Sequence, residues 1–556
     1  MLNAVPLNLT YNFLAIIHRS TCTRLLKVYG KRIFRIGLLT HAMGVLLPVR
    51  IRVAEPLAGR PRSGCDMTRR QQGVGLAKSF KVLHPLDANM SPQVESKSSP
   101  IVIVGAGVFG LSTALHLAKR GYTNITVLDK QPYQDSHYAY EKGCDAASAD
   151  INKIIRAAYG PQFEYQTLAL DAISRWKKWN EELNSGKTVP PGFSTDDTLF
   201  INNSTVTMTT GLEMDQFEKD TIRNMDRVGL RETQVNLHDP QDVARARAKG
   251  FGFAVDAFNT NNISSVLDTQ SGFVYADRAC HFALHKAQKL GVKAILGGSR
   301  GTFSHFLENA DAKITGVETA DGVSHQADLT IMACGGWTPS LLTQLDNLCE
   351  TTAGSVTMFQ LPQDKALWDK FAPENFPTWS YDMRRGEYGG LYGFARDPNG
   401  VVKIGYRGTK FTNPQTQADG ASRSVPATRW TQEAIRQIPL VASRVIKGFV
   451  RDYLPELIDC KMTSRLCWYT DSYDNHFVID FVPEYQGLMV ATGGSGHGFK
   501  FLPNLGEHVV DKIEGKKNDY LQYWNWRSLE KGAKPYNSIM EGAGSHRSLH
   551  HQAMTS

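Results

Sequence analysis

The chain has 556 residues, of which 42% are hydrophobic and 21% charged, a composition that excludes collagen-like, disordered and membrane-bundle proteins. Its 8 cysteines form no closely spaced pair, which argues against a disulfide scaffold and a zinc site and favours a reducing compartment. The net charge of +8 divides into +11 over residues 1–98 and −3 over residues 99–556, and the main body has no basic run, so we expect no nucleic-acid partner.

Residues 1–98 form a basic N-terminal extension whose role the sequence leaves open. The extension holds 15 Lys and Arg against 4 Asp and Glu, with no acidic residue before Glu55, as is typical of an organelle transit peptide. Alternatively, translation starts at or near Met90 and the extension is not part of the working protein. Its apolar stretch is too short to span a bilayer, so we expect no membrane partner. We expect an intracellular protein, cytoplasmic or peroxisomal, or mitochondrial if the extension is used.

A strand, a glycine turn, a helix and a second strand are predicted from Ile101 onward. The run IVIVGAGVFG carries three glycines at the spacing of a dinucleotide-binding motif. In such a motif the glycines make the turn, admit a pyrophosphate and let the helix pack on the strand, while the helix N-terminus attracts phosphate. Asp129 follows where an acidic residue that binds a ribose is expected. The residues predicted to hold the cofactor here are Gly105, Ala106, Gly107, Val108, Phe109, Gly110, Asp129 and Lys130.

Three later segments predict one further helix and two further glycine-ended strands. INKIIRAAYG is predicted to be a helix with Lys153 and Arg156 on one face, because they are three residues apart. The apolar runs 327–336 and 485–499 are strand-like and end in glycines. Such separated strand ends favour one cofactor domain assembled from distant stretches, as in large flavoproteins, and therefore FAD as the cofactor.

The regions between these stretches hold short alternating runs, which predict a mostly antiparallel second domain. We therefore predict an α/β protein with a Rossmann-like, discontinuous FAD-binding domain and an α+β substrate domain. The C-terminal residues, rich in Gly, Ser and His, are expected to be a flexible tail. The predicted bounds are 99–190, 266–348 and 455–526 for the FAD-binding domain, 191–265 and 349–454 for the substrate domain, and 527–556 for the tail.

Two local patterns point to functional side chains. The run GVVKIGYRG predicts a strand with Val402, Ile404 and Tyr406 on one face and Lys403, Gly405 and Arg407 on the other. The glycine loop 493–500 precedes a predicted helix over 505–513, whose N-terminus would help to stabilise negative charge on a reduced flavin.

Three segments in combination resemble a known family: VGAGVFGLSTALHLAKRGY, RLCWYTDSYDNHFVIDFVPEY and ATGGSGHGFKFLPNLG. They are similar to the flavin-dependent amine oxidases that include monomeric sarcosine oxidase, L-pipecolate oxidase, saccharopine oxidase and fructosyl amino acid oxidase. The resemblance covers about residues 99–525. It implies oxidation of a C–N bond in an N-substituted amino acid such as sarcosine, L-pipecolate, saccharopine or a fructosyl amino acid, with O2 as acceptor and hydrogen peroxide as product. It also implies a monomer.

The resemblance assigns roles to particular residues. Cys467, which by itself reads as a small buried hydrophobic residue, is implied to form a thioether to the flavin. Arg156 and Lys500 are implied to bind the substrate carboxylate, and Lys403 is implied to promote the reaction with O2. Lys153 is implied to be a charge on the cofactor side. The further residues implied to contact the flavin are Gly494, Gly496, His497, Gly498 and Phe499, and those implied to line the substrate pocket are Tyr392 and Tyr469.

Some alternatives stay open at this point. Trp468 beside Cys467 is similar to the fructosyl branch, whereas Tyr469 and Thr470 are similar to the sarcosine and pipecolate branch. Arg407 stands where sarcosine oxidase has a histidine, so this part of the pocket differs. A tailoring oxidase or a dehydrogenase acting on a modified amino acid, and a redox-inactive flavin-binding protein, are the other functions considered. No metal site is expected.

Overall fold

The structure, a computed structural model, describes residues 94–431 and 434–556. Most of the basic extension and the start at Met90 lie outside the described residues, so the expectations about them stay predictions. Within the described ranges, no helix combines the length and the apolar character needed to cross a membrane.

The first large sheet has six strands, and their apolar residues are buried because the helix Val108–Lys119 packs on one face and the strand Ile314–Thr319 packs on the other. Its strands pair in parallel except for the antiparallel edge pair 478–481 and 488–492. In spatial order, the strands are Val478–Phe481, Leu488–Thr492, Leu329–Met332, Ile101–Val104, Ile125–Asp129 and Lys293–Leu296. The strands come from distant parts of the chain, so the prediction of a Rossmann-like domain built from separated stretches is confirmed.

The second large sheet has eight strands and is antiparallel except between 378–381 and 205–210. Its core is rich in aromatic residues, with Trp379 stacked on Phe449 at a ring distance of 4.3 Å. In spatial order, the strands are Lys461–Ser472, Cys349–Gln360, Val401–Phe411, Leu391–Gly393, Thr378–Tyr381, Thr205–Thr210, Ile263–Asp268 and Gln234–Asn236. This sheet confirms the α/β and α+β fold class.

Smaller sheets and the helices complete the described part of the chain. The smaller sheets contain Asn152–Ile155, Gly272–Tyr275 and Phe200–Ile201; Phe303–Glu308, Ile314–Thr319 and Ser324–Gln326; and Pro414–Thr416 and Ser422–Ser424. The α-helices are Val108–Lys119, Tyr133–Ser136, Phe163–Asn184, Gln216–Arg227, Pro240–Ala248, Gly252–Val255, Ala276–Lys289, Gly298–Gly301, Thr338–Leu341, Lys365–Lys370, Leu440–Tyr453, Leu505–Ile513 and Leu521–Trp524. The predicted helix over 505–513 is thus found with its predicted bounds.

The prediction of a helix over 151–160 is wrong. Asn152–Ile155 is a strand that pairs antiparallel with Gly272–Tyr275, and the residues after it have no regular structure. The adjacent β-branched residues Ile154 and Ile155 favour a strand, and pairing with a distant segment decides between the two local possibilities.

The strand that carries Cys467 belongs to the second sheet. All twelve residues of Lys461–Ser472 pair with Cys349–Gln360. The predicted domain boundary at residue 455 therefore differs from the structure, in which the chain returns to the six-stranded sheet only at Val478. The cause is that Lys461–Ser472 finds its hydrogen-bond partners in the antiparallel sheet.

The C-terminal segment is packed on the body, in contrast to the predicted flexible tail. Arg547 donates to Glu350 Oε2 at 2.8 Å and to Glu541 Oε2 at 2.8 Å. Leu549 is buried in the core of the eight-stranded sheet, and its N–H donates to the carbonyl of Thr412 at 2.8 Å. These anchoring residues are isolated in a polar sequence, so no periodic pattern reveals them.

Candidate active site

A cavity of about 400 Å³ is lined by residues from both large sheets. One wall is formed by the carboxyl ends of the parallel strands, where ligands of open α/β sheets bind. The opposite wall comes from the antiparallel sheet and includes Gly354, Tyr392, Arg407, Cys467 and Tyr469.

The glycine turn after Ile101–Val104 requires its glycines. Gly105 has a φ of +110°, and a Cβ there would lie 2.3 Å from the carbonyl oxygen of Ala333. A Cβ on Gly110 would lie 1.8 Å from the carbonyl oxygen of Gly105. Ala106 and Gly110 shape the turn and are not among the residues that line the cavity, whereas Gly107, Val108, Phe109, Asp129 and Lys130 are.

Asp129 closes this turn at the end of its strand. Its carboxylate accepts the N–H of Ala106 at 2.7 Å and the N–H of Gln131 at 2.8 Å. Burial raises the pKa of Asp129, and these two backbone donors act against that rise. The carboxylate still has acceptor capacity for a further donor. Beside it, the Lys130 ammonium lies 3.2 Å from the centre of the Trp337 ring.

The glycine loop before Leu505–Ile513 packs on the first glycine turn. Cβ atoms on Gly494 and Gly498 would lie 3.2 Å and 3.0 Å from the Phe109 ring. A Cβ on Gly496 would lie 2.4 Å from a guanidinium nitrogen of Arg407. All of the loop residues singled out from the sequence line the cavity: Gly494, Gly496, His497, Gly498, Phe499 and Lys500.

Cys467 lies at the cavity wall, with its Sγ 4.0 Å from the Lys153 ammonium. Lys153 in turn donates to Asp150 at 2.5 Å. Lys153 and Arg156 both line the cavity, although they reach it from a strand and its following loop rather than from a helix.

Asp150 is a buried carboxylate shared by three cations, and sequence reasoning missed it. It accepts Lys403 at 2.8 Å and Arg465 at 2.9 Å in addition to Lys153. Burial alone would raise the pKa of Asp150, but the three cations lower it well below its usual value. A lone aspartate before a basic segment carries no motif, so only the fold could reveal this cluster.

Lys403 lies just behind the cavity wall. It is fully buried and donates to Asp150 and, at 2.6 Å, to the carbonyl of Asn152. Burial lowers the pKa of Lys403 to about 8, against the opposing effect of Asp150. Lys403 is not among the residues that line the cavity, whereas Arg407 on the same face of its strand is.

The cavity also contains cations that have no acidic partner in the described part of the chain. Arg156 donates to Ser380 Oγ at 3.3 Å, and the buried Lys500 ammonium donates to the Tyr159 hydroxyl at 3.0 Å. Burial lowers the pKa of Lys500 well below its usual value, and the charges of Arg156 and Arg407 lower it further.

A chain of hydrogen bonds fixes Lys500 in place. The Tyr159 hydroxyl lies 3.0 Å from His497 Nδ1, and His497 Nε2 lies 3.0 Å from the carbonyl of Asn475. Because that carbonyl can only accept, Nε2 carries the proton and Nδ1 accepts from Tyr159. Burial lowers the pKa of His497 to about 3, with Lys500 adding to the effect, so this ring is neutral.

Tyr392 and Tyr469 complete the cavity wall. Burial raises the pKa of Tyr392 to about 12, so its hydroxyl is protonated at neutral pH. The Tyr469 hydroxyl is buried and has no hydrogen-bond partner among the described residues. Such an orphaned group fits a cavity that receives a polar ligand.

These features fit a flavin dinucleotide. The glycine turn and the glycine loop line one cavity together with Asp129, and Tyr469, whose hydroxyl has no hydrogen-bond partner among the described residues, lines the same cavity. The fold and the site define a dinucleotide-dependent oxidoreductase with a separate sheet that forms one wall of the cavity. Residues 100–512 match the family model described as FAD dependent oxidoreductase, DAO. The chain belongs to this family and is an FAD-dependent oxidoreductase.

Similar proteins cover most of the chain. L-saccharopine oxidase of Schizosaccharomyces pombe is 27% identical over 451 residues, which are 79% of this chain and 95% of that protein. Amino acid oxidase imqH of Aspergillus flavus is 27% identical over 469 residues, which are 74% of this chain and 92% of that protein. A solved structure of a modified fructosyl peptide oxidase from Aspergillus nidulans, in complex with FSA, has a TM-score of 0.66 at 27% identity and covers 82% of this chain and 98% of its own. The resemblance to the flavin-dependent amine oxidases is thereby confirmed.

Proposed function

We propose that the protein is an FAD-dependent oxidase of an N-substituted amino acid, which it converts to an imine while O2 is reduced to hydrogen peroxide. The observation that carries this proposal is the pair of cations at the cavity, Arg156 and Lys500, neither of which pairs with a carboxylate of the described residues. Burial disfavours a charge that has no partner and lowers the pKa of both Arg156 and Lys500, so a ligand that brings an anion, and thereby favours the charged form of both groups, is expected. The names of the saccharopine and fructosyl peptide oxidases support a secondary amine as the group that is oxidised.

The residues of the chain would orient this substrate. The Arg156 guanidinium can bind a carboxylate through two parallel hydrogen bonds, and Lys500 adds a point charge held by Tyr159. Tyr392 and Tyr469 line the same cavity and would exclude water from the reacting carbon. Fixed orientation of this kind accelerates a reaction by removing the entropy cost from the chemical step.

The cofactor supplies the redox chemistry, namely acceptance of a hydride equivalent from the C–N bond and delivery of two electrons to O2. The residues that would hold it are those of the glycine turn, Asp129 and the loop Gly494–Gly498. Cys467, which lines the cavity, would tether the flavin covalently as a thioether. Lys403 would stabilise the negative charge that develops when O2 takes its first electron, and its direct bond to Asp150 keeps it close to Lys153 and the cavity. We propose O2 as the acceptor and a monomeric state on the same resemblance.

The test compares an amino acid with its amide. Peroxide release is measured with sarcosine, L-pipecolate, L-saccharopine and a fructosyl amino acid, and then with the amide of the best substrate. The expected loss in kcat/KM is at least about tenfold, equivalent to about 1.4 kcal/mol of lost interaction with Arg156 and Lys500. Equal oxidation of acid and amide, or of a simple alkylamine, would contradict the carboxylate-binding role.

A further inference from the structure

The cavity contains a third cation, Arg407, that a single substrate carboxylate does not account for. It extends from Val401–Phe411 into the cavity from the antiparallel sheet. Like Arg156 and Lys500, it forms no ion pair with a carboxylate among residues 94–431 and 434–556. Burial lowers the pKa of Arg407, but Tyr469 and Asp471 raise it overall, and Asp471 forms its own ion pair with Lys410 at 3.1 Å.

The donors of Arg407 are incompletely used. Its guanidinium donates to the carbonyls of Gly496 at 3.2 Å and Ser495 at 3.5 Å. Its Nε is buried and has no hydrogen-bond partner in the described part of the chain. A guanidinium has five N–H donors in a fixed fork, so a further acceptor is needed to satisfy this group.

A second buried polar group lies beside it. The guanidinium carbon of Arg407 is 5.7 Å from the centre of the Tyr469 ring, and the Tyr469 hydroxyl, which has no other hydrogen-bond partner among the described residues, helps to hold the pKa of Arg407 above its usual value. Both groups line the cavity and are distinct from the partners of Arg156 and Lys500, which are Ser380 and Tyr159. Arg407 and Tyr469 thus form a second polar subsite, in which the guanidinium keeps donors for a further acceptor.

A purely structural role does not explain Arg407. The two carbonyls that it binds are neutral, and a neutral donor would hold the loop 495–496 without bringing a buried positive charge to the cavity. Tyr469 and Asp471 favour the charged form of Arg407 against the effect of burial, but no carboxylate among the described residues pairs with it directly, and an anion at this place would satisfy both the charge and the remaining donors.

We propose that Arg407 and Tyr469 bind a second carboxylate, carried on the N-substituent of the substrate, so that the preferred substrate is an N-(carboxyalkyl) amino acid. The proposal rests on the proposed function, because it assumes that Arg156 and Lys500 bind the first carboxylate. It makes Arg407 the residue that selects a dianionic amine over an N-alkyl amino acid.

The experiment measures binding and not turnover. The ligands are thioethers in which sulfur replaces the amine nitrogen: S-(carboxyalkyl) thioglycolates with one to four methylene groups, and the matched ligands in which the second carboxylate is a carboxamide. The flavin-loaded protein is titrated with each ligand, and Kd is obtained from the change in the flavin absorbance spectrum and from calorimetry. The variants are Arg407→Met and, as a matched control on an exposed arginine, Arg451→Met.

In the wild-type protein and in Arg451→Met, at least one dicarboxylate should bind about tenfold or more tightly than its carboxamide. Arg407→Met should lose this difference while it still binds the monocarboxylate. If no dicarboxylate binds more tightly than its carboxamide in the wild-type protein, the proposal is wrong. In that case, a shifted flavin spectrum in ligand-free Arg407→Met would show that Arg407 faces the flavin. A further ligand carries a methyl ester in place of the one carboxylate that the carboxamide ligand keeps. If this ester binds as well as the carboxylate, the carboxylate role of Arg156 and Lys500, and thus the proposed function, is wrong as well. If Arg407→Met does not fold, Arg407→Lys takes its place: loss of the forked donors should reduce the preference for the dicarboxylate, and an unchanged preference would contradict the role of Arg407.

Discussion

Cys467 reaches the cavity from a strand of the antiparallel sheet, next to the Lys153 ammonium. We predict that the purified protein keeps its yellow colour and flavin fluorescence in the precipitate after acid treatment, because a thioether survives unfolding. Cys467→Ala should release its flavin into the supernatant. Cys460→Ala, at a half-buried cysteine outside the cavity lining, is the matched control and should retain the flavin. A colourless precipitate from the unsubstituted protein would exclude the covalent bond.

Lys403 provides a prediction with a defined pH dependence. Its pKa of about 8 means that the ammonium is protonated below pH 8 and loses its proton as the pH rises through that value. If the charge promotes the reaction with O2, the rate of flavin reoxidation should fall across that range. Lys403→Met should slow reoxidation on the order of 100-fold and remove the pH dependence.

The measurement for Lys403 is stopped-flow kinetics of the two half-reactions separately. Anaerobic flavin reduction should change much less than reoxidation, because substrate oxidation does not create superoxide-like charge. Lys365→Met, at an exposed lysine, should leave both rates unchanged. Equal losses in the two half-reactions would remove Lys403 from the oxygen reaction.

At the scale of elements, Gly405 in the strand Val401–Phe411 leaves the space that the ring of Tyr392 occupies at the cavity wall. A Cβ on Gly405 would lie 2.1 Å from the Tyr392 ring. We predict that Gly405→Ala displaces Tyr392, lowers the free energy of unfolding by about 1–3 kcal/mol and raises KM. Gly448→Ala in Leu440–Tyr453 is the control, since a Cβ there meets no atom within 4 Å and should stabilise the helix by up to about 1 kcal/mol. Urea unfolding and steady-state kinetics test both; an unchanged KM in Gly405→Ala would argue against this role of Gly405.

The C-terminal segment is anchored by a buried ion pair between Arg547 and Glu350. Arg547→Ala leaves the Glu350 carboxylate buried without this partner, so we predict a loss of about 3 kcal/mol in the free energy of unfolding. Arg451→Ala, which breaks an exposed ion pair with Asp452, should cost less than about 1 kcal/mol. If urea unfolding gives the same small loss for both variants, the segment does not contribute to the stability of the fold.

These elements show which parts of the fold are readable from sequence. The glycine turn, Val401–Phe411 and Leu505–Ile513 are predictable because their patterns depend on nearby residues. The strand Asn152–Ile155 and the C-terminal segment are not, because each depends on a partner more than a hundred residues away, Gly272–Tyr275 in one case and Glu350 in the other. Pairing of distant segments leaves no local periodicity.

At the scale of the whole molecule, the site joins two sheets that are interleaved along the chain. The parallel sheet supplies the glycine turn and Asp129, and the antiparallel sheet supplies Cys467, Tyr392 and Arg407. The glycine turn and the glycine loop are predictable as cavity walls, since each follows the carboxyl end of a strand. The sharing of Asp150 among three cations, and the surplus of unpaired cations at the cavity, depend on the way the sheets meet and are visible only in the structure.

The most direct test of the account is anaerobic reduction of the flavin by an N-substituted amino acid and by its amide, in the wild-type protein and in Arg156→Met and Lys500→Met. The account predicts that the acid bleaches the wild-type flavin at least about tenfold faster than the amide at subsaturating concentration. Each substitution should remove most of this advantage by slowing the reaction of the acid while changing that of the amide little. An advantage of the acid that persists in both variants, or a flavin that no such amino acid reduces, would contradict the central claim.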